Sequence, residues 1–234
     1  MRFFREKMIK RTAVLLIACI AVSTNSFASP EPAEEDPNVY VFEAEHTDLS
    51  QIQGAGKSNN MQGTAVITYD KFEAGASEEY FIAYLYMKGN KIVFKVSSDA
   101  DIDNVKLELR ATAEAGIEKI GSDEFSVTVN GNVISYRDMK FKDVVNGFFS
   151  MDSGGLRPFS DYTISSGISL KKGENEIVLE VINDTTLDGT AHAHAPIIDC
   201  IKLTVPEGTE AVLEWAEGFP DAASIKRIEQ MEDE

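Results

Sequence analysis

Apolar and polar residues alternate in short runs along this chain, and the runs are broken by glycine- and asparagine-rich segments. Val105, Leu107, Leu109, Ala111 and Ala113 alternate with Lys106, Glu108, Arg110, Thr112 and Glu114, the pattern of a strand with one wet face. Phe125, Val127 and Val129 repeat it. Asn130-Gly131 then supplies a tight hairpin turn of the kind that needs positive φ, with 132–136 as its return strand. Further strands are predicted at 39–45, 64–69, 80–86, 91–97, 162–170, 175–182, 197–203 and 211–215. The intervening loops are 46–63, 70–79, 137–161 and 183–196. The third is the longest, and a loop of that length in a compact domain is usually functional or mobile. A short helix is expected from Ala222 to Glu232, with Pro220-Asp221 at its start. Many short strands without a long helical pattern predict an all-β fold, an antiparallel β-sandwich.

One strand stands apart. In Ile197-Ile198-Asp199-Cys200-Ile201-Lys202-Leu203, strict alternation puts Ile197, Asp199, Ile201 and Leu203 in one file, with an acid among apolar residues. A buried carboxylate needs a partner to stay ionised. At the other end of the chain, Glu43 and Glu45 share one face of the first strand, and Tyr40, Phe42 and Ala44 share the other. A solvated face would account for the two glutamates alone. Asp199 turns the reading toward three carboxylates meeting at one hard cation, and calcium is the default ion for an all-oxygen site. Backbone carbonyls of loop 46–63 would complete the ligand set. Cys200, flanked by isoleucines, reads as a buried inert thiol.

The chain has 234 residues, room for one sizeable domain. A basic opening, Met1 to Arg11, precedes an apolar run from Ala13 to Val22 and then Ser26-Phe27-Ala28. This order makes a bacterial-type secretory signal peptide cleaved after Ala28, with the protein secreted or at the cell surface. Leu16-Ile17-Ala18-Cys19 keeps open a lipoprotein anchored through Cys19. Residues 29–38 read as a disordered lead-in, 39–205 as the sandwich and 206–234 as a C-terminal extension. The leader carries an excess of four positive charges, so the whole-chain charge of −17 becomes −21 without it. Such acidity argues against nucleic-acid partners and against membrane association once the leader is gone. With Cys19 in the leader and Cys200 alone, there is no disulfide framework. A monomer is expected.

Glu43-Ala44-Glu45, then YFIAYLYMKGN over 80–90, KKGENEI over 171–177 and APIIDCIKL over 195–203 occur in that order. Together they resemble carbohydrate-binding modules of families 6 and 35, of the galactose-binding-domain-like group, over about residues 39–205. The resemblance implies a sandwich of jelly-roll type, a structural calcium at one edge and a glycan held by loops at one end. It places Glu43, Glu45 and Asp199 at the metal positions and Asn183, after the penultimate strand, at a sugar contact.

A sugar site also needs an aromatic platform and planar polar groups for hydroxyls. Tyr80, Phe148, Phe149 and Tyr162 are the candidate aromatics, and Asp184 and Asp188 join Asn183 as polar candidates. His192-Ala193-His194 offers two imidazoles with only His46 to add, so it reads as a polar loop rather than a transition-metal pair. Asn183-Asp184-Thr185 fits a glycosylation sequon, which a bacterial leader discounts. No nucleophile motif, phosphate-binding loop or zinc-protease signature is present. The expectation is a non-catalytic module binding a poly- or oligosaccharide. A calcium-dependent adhesion or scaffold domain without glycan binding is the alternative, and a glycoside-active enzyme a third.

Overall fold

The computed structural model describes residues 38–50, 52, 66–70, 74–85, 87–113, 117–141, 157–184 and 194–219. Most of their strands form two antiparallel sheets. The first has the order β10 (Ser160–Leu170), β5 (Ile102–Thr112), β12 (Ile197–Thr204), β3 (Tyr80–Ile82) and β2 (Ile67–Tyr69), with β1 (Val39–Glu43) also paired to β12. The second runs β13 (Leu213–Trp215), β4 (Lys91–Ser98), β11 (Gly173–Val181), β7 (Phe125–Val129) and β8 (Asn132–Ile134). Two-residue strands β6 (Lys119–Ile120) and β9 (Met139–Lys140) pair with each other. The chain passes repeatedly from sheet to sheet, at β3 to β4, β4 to β5, β10 to β11 and β11 to β12. The expected β-sandwich is therefore the observed fold.

Alternation builds the core. β4 buries Ile92, Phe94, Val96 and Ser98 and turns Lys91, Val93, Lys95 and Ser97 outward. β5 and β11 obey the same rule, and Phe94, Phe125, Leu107, Leu109 and Ile177 are almost completely buried in one cluster. Each such side chain contributes roughly 1.5–3 kcal/mol by leaving water. The β7–β8 hairpin turns as expected, with Asn130 at φ 50° and Gly131 at φ 78°. Asn175, fully buried, ties this hairpin to the turn between β10 and β11. Its Oδ1 accepts from Asn130 Nδ2 and from the Lys171 N–H, and its Nδ2 donates to the Lys171 and Gly173 carbonyls.

β13 pairs with β4, and Trp215 lies edge-on to Phe42 at 5.0 Å and stacked over Phe94 at 6.2 Å. The sandwich thus continues past residue 205. β1 is shorter than expected because Ala44–His46 turn as a 3-10 helix, closed by Thr47, whose N–H and hydroxyl both donate to the Ala44 carbonyl. β2 and β3 are shorter too, whereas β6 and β9 carry no pattern long enough to read. Along the edge strand β10 the register against β5 shifts three times between Thr163 and Leu170. The helix expected at 222–232 lies outside the described residues.

Candidate metal centre and loop face

The file of alternate residues read in β12 is broken by a bulge. Ile198 pairs with Ala111 of β5 and Cys200 with Arg110, so Asp199 is the extra residue. A bulge of this kind reverses the parity of the faces on either side of it. Ile198, Ile201 and Leu203 accordingly face the main core, while Ile197 packs with Ala74, Phe81, Ala83 and Phe159 in a separate small cluster. Asp199 therefore does not share a file with Ile201 and Leu203.

The same residue marks a fork. On the side of β12 away from β5, Ile198 pairs with β3 and residues 200–204 pair with β1. Glu43 sits opposite Cys200, which brings the first strand's acid beside Asp199. Oxygen atoms of Glu43 and Asp199 and the Cys200 thiol lie within 4.8 Å of one another. The turn at Ala44–His46 carries Glu45 under the fork, where it is 0% exposed. Glu45 falls outside that 4.8 Å group yet is close enough for Glu43 and Asp199 to repel it.

The segment 74–79 covers the fork. Asp70 shapes it by accepting the N–H groups of Ala74, Gly75 and Ala76. Ser77 then reaches inward. Its hydroxyl lies 2.7 Å from Glu43 Oε2 and 3.1 Å from Asp199, and its N–H donates to Asp199 Oδ1 at 3.0 Å. Arg110 closes the other side, with Nε 2.9 Å from Asp199 Oδ2 and Nη2 donating to the Gly75 carbonyl at 2.6 Å. Neither Ser77 nor Arg110 stood out in the sequence. Serine in a polar loop carries no signal, and Arg110 is one of several charges on the wet face of β5.

Burial pushes the Glu43 carboxyl up to about 8, and repulsion from Asp199 and Glu78 adds to this against the Ser77 hydrogen bond. Burial pushes Glu45 up to about 9, with Glu43, Asp199 and Glu78 adding repulsion against the effect of its own backbone N–H. Beyond that N–H, neither Glu45 oxygen has a hydrogen-bond donor among the described residues. Burial also raises Asp199, opposed by Ser77 and Arg110. Buried polar oxygens without donors are rare because they cost roughly 1–3 kcal/mol each. Two donorless oxygens beside two further buried acids fit a hard cation taking oxygen ligands. Cys200 stays a protonated thiol, since burial and then the charges of Glu43 and Asp199 raise it strongly, and a thiol in that state adds no soft ligand.

The residues expected at a sugar site are dispersed. Tyr80 is 4% exposed and packs into the core against Tyr69, so it offers no open ring face. The exposed ring of that pair belongs to Tyr69. Tyr162 is half-buried on β10, with its ring edge-on to Phe141 and its hydroxyl donating to the Lys140 carbonyl. Asp184 is exposed and pairs with Lys88 at 2.9 Å. Asn183 is a clasp: its Nδ2 donates to the Glu124 and His194 carbonyls, and its Oδ1 accepts the His194 N–H. His194 in turn faces Glu124, with Nδ1 3.2 Å from Oε1. Residues 121–124, 135–141, 182–184 and 194–196 thus gather at one end of the sandwich. Phe148, Phe149, Asp188 and His192 lie outside the described residues, as do the leader and Cys19.

No family model matches the chain, and no curated protein matches it. Among solved structures it is similar to a family 35 carbohydrate-binding module from an environmental isolate, at 18% identity and a TM-score of 0.45 over 76% of this chain and 97% of that one. It is similar to the native family 35 module from Clostridium thermocellum at 16% identity and a TM-score of 0.45, covering 72% and 98%. A Podospora anserina β-(1,4)-mannanase that carries such a module matches at 18% identity and a TM-score of 0.46 over 74% of this chain, which spans 28% of the mannanase's length. These belong to the family that the sequence resembles.

Proposed function

We propose that this protein is a secreted, non-catalytic carbohydrate-binding module whose sandwich is held at the β1–β12 fork by a calcium ion. The observation that carries the reading is the fork itself. Glu43, Glu45 and Asp199, matched to metal positions by the ordered sequence motifs, are buried together there, and both oxygens of Glu45 lack a donor among the described residues. Glu43, Glu45 and Asp199 would hold the ion, and the ion would supply rigidity where three strands diverge. The glycan would lie on the loop end of the sandwich, with Asn183 shaping the loops at their base and Tyr162 and Asp184 nearer the surface. Asp188, Phe148 and Phe149 remain assigned to this face by their place in the sequence.

A glycan array followed by titration calorimetry tests the reading. Binding without release of reducing sugar is expected. Release of sugar during the titration would make the protein an enzyme. Calcium binding with no glycan bound would favour a scaffold domain, a reading supported by the burial of Tyr80 and the internal engagement of Asn183.

A further inference from the structure

Arg110 is placed to do more than cover the fork. Its Nε lies 2.9 Å from Asp199 Oδ2, its Nη1 lies 3.2 Å from Asp161 Oδ1, and Nε and Nη2 both reach the Gly75 carbonyl. Asp161 also takes Lys202, at 3.0 Å from Oδ2. Lys202 in turn is near enough to lower the Glu43 carboxyl. Arg110 and Lys202 are thus two cations linked through Asp161 and set beside the proposed ligands Asp199 and Glu43. Glu78 at the rim is more than half exposed and lies 3.7 Å from His46.

We infer that Arg110 biases this site toward a divalent cation and against a trivalent one. The inference rests on the metal reading above. A fixed positive charge touching a ligand repels a triply charged ion more than a doubly charged one. Two features make Arg110 rather than Lys202 the determinant. It alone touches a proposed ligand, Asp199. Its grip on the Gly75 carbonyl fixes it there: Gly75 has φ +91°, a conformation that side chains rarely adopt, and a Cβ at that position would sit 3.4 Å from Nη2.

The test compares calcium and terbium(III) binding by calorimetry and terbium luminescence in the full chain, the Arg110→Gln and Arg110→Lys variants, and Asp161→Asn. In Arg110→Gln the ratio of terbium to calcium affinity is expected to rise at least about tenfold, because removing one nearby charge favours the more highly charged ion. Arg110→Lys, which keeps the charge, should hold the wild-type ratio. Asp161→Asn, at a partly exposed surface position, should lower it, since the guanidinium is then shared with no other acid. An unchanged ratio in Arg110→Gln overturns the inference, as does a lysine variant that behaves like the glutamine one. Should Arg110→Gln fail to fold, an unmoved ratio in Asp161→Asn overturns it. If the wild-type chain binds calcium and the ratios do not move, only the role of Arg110 fails. If it binds neither ion, the metal reading fails with it.

Discussion

Glu45 concentrates the chemistry of the fork in one side chain. In the metal-free protein its carboxyl, pushed up to about 9, keeps a proton that the unfolded chain releases above the ordinary value of 4.5. Glu43, pushed up to about 8, does the same. The native state therefore binds more protons than the unfolded state between these values, and stability falls as pH rises through that window. Thermal unfolding of chelated protein should show a melting temperature that declines from about pH 5 to about pH 9. Saturating calcium should flatten or reverse the decline, because the ion needs those carboxylates deprotonated and displaces their protons. In Glu45→Gln the decline should shrink and the calcium response should vanish. The chelated variant should be more stable than the chelated parent above pH 9 by roughly 1–3 kcal/mol, since no buried carboxylate is then left without a donor. A calcium response that survives this substitution would remove Glu45 from the ligand set. The acidic members of the fork were legible because acids in or beside an apolar run are conspicuous. Ser77 and Arg110 were not, because their importance comes from the fold of segment 74–79 and from the register between β5 and β12.

At the scale of the elements, the long alternating strands agree with the sequence to within three residues. β4, β7 and β11 bury every second residue, and β5 does so from Val105 to Ala111, so periodicity alone locates them. What periodicity cannot show is a change of parity, and the bulge at Asp199 is such a change. Alternation also ends where Ala44–His46 turn, yet Glu45 stays buried because the turn tucks beneath the sheet. Turns held by one side chain are equally hidden. Asn175 meets its full amide capacity in the middle of a polar motif, and Asn183 clasps Glu124 and His194. Asn175→Ala should lower stability by roughly 1–3 kcal/mol in urea unfolding, the usual result of leaving buried partners unpaired. Gly131→Ala should cost roughly 1–2 kcal/mol, since φ 78° disfavours any side chain there. Losses below a few tenths would mean that these turns do not fix the strand pairings they join.

For the whole molecule, a ligand that binds only the folded state raises stability by mass action. Calcium at about a hundred times its dissociation constant should add about 2.7 kcal/mol. In a domain of this size that corresponds to a melting temperature higher by roughly 5–10 °C. Chelator should remove the gain, added calcium should restore it, and Asp199→Asn should abolish both effects. The loop face was the least legible part. Exposed aromatic rings look the same in sequence as core rings, and Tyr80 shows how a ring next to a polar loop still packs inward.

The fork joins β1 to β12, strands from opposite ends of the chain. Contacts between segments so distant in sequence form late, after most of the loop-closure entropy has been overcome. An ion that requires both strands meets its ligands only once they are docked, so its binding energy is absent from the rate-limiting step of folding. Interactions missing from the transition state slow unfolding and leave folding untouched. In stopped-flow measurements calcium should therefore shift the unfolding arm downward and leave the refolding arm where it is, making the ion a lock on the finished sandwich.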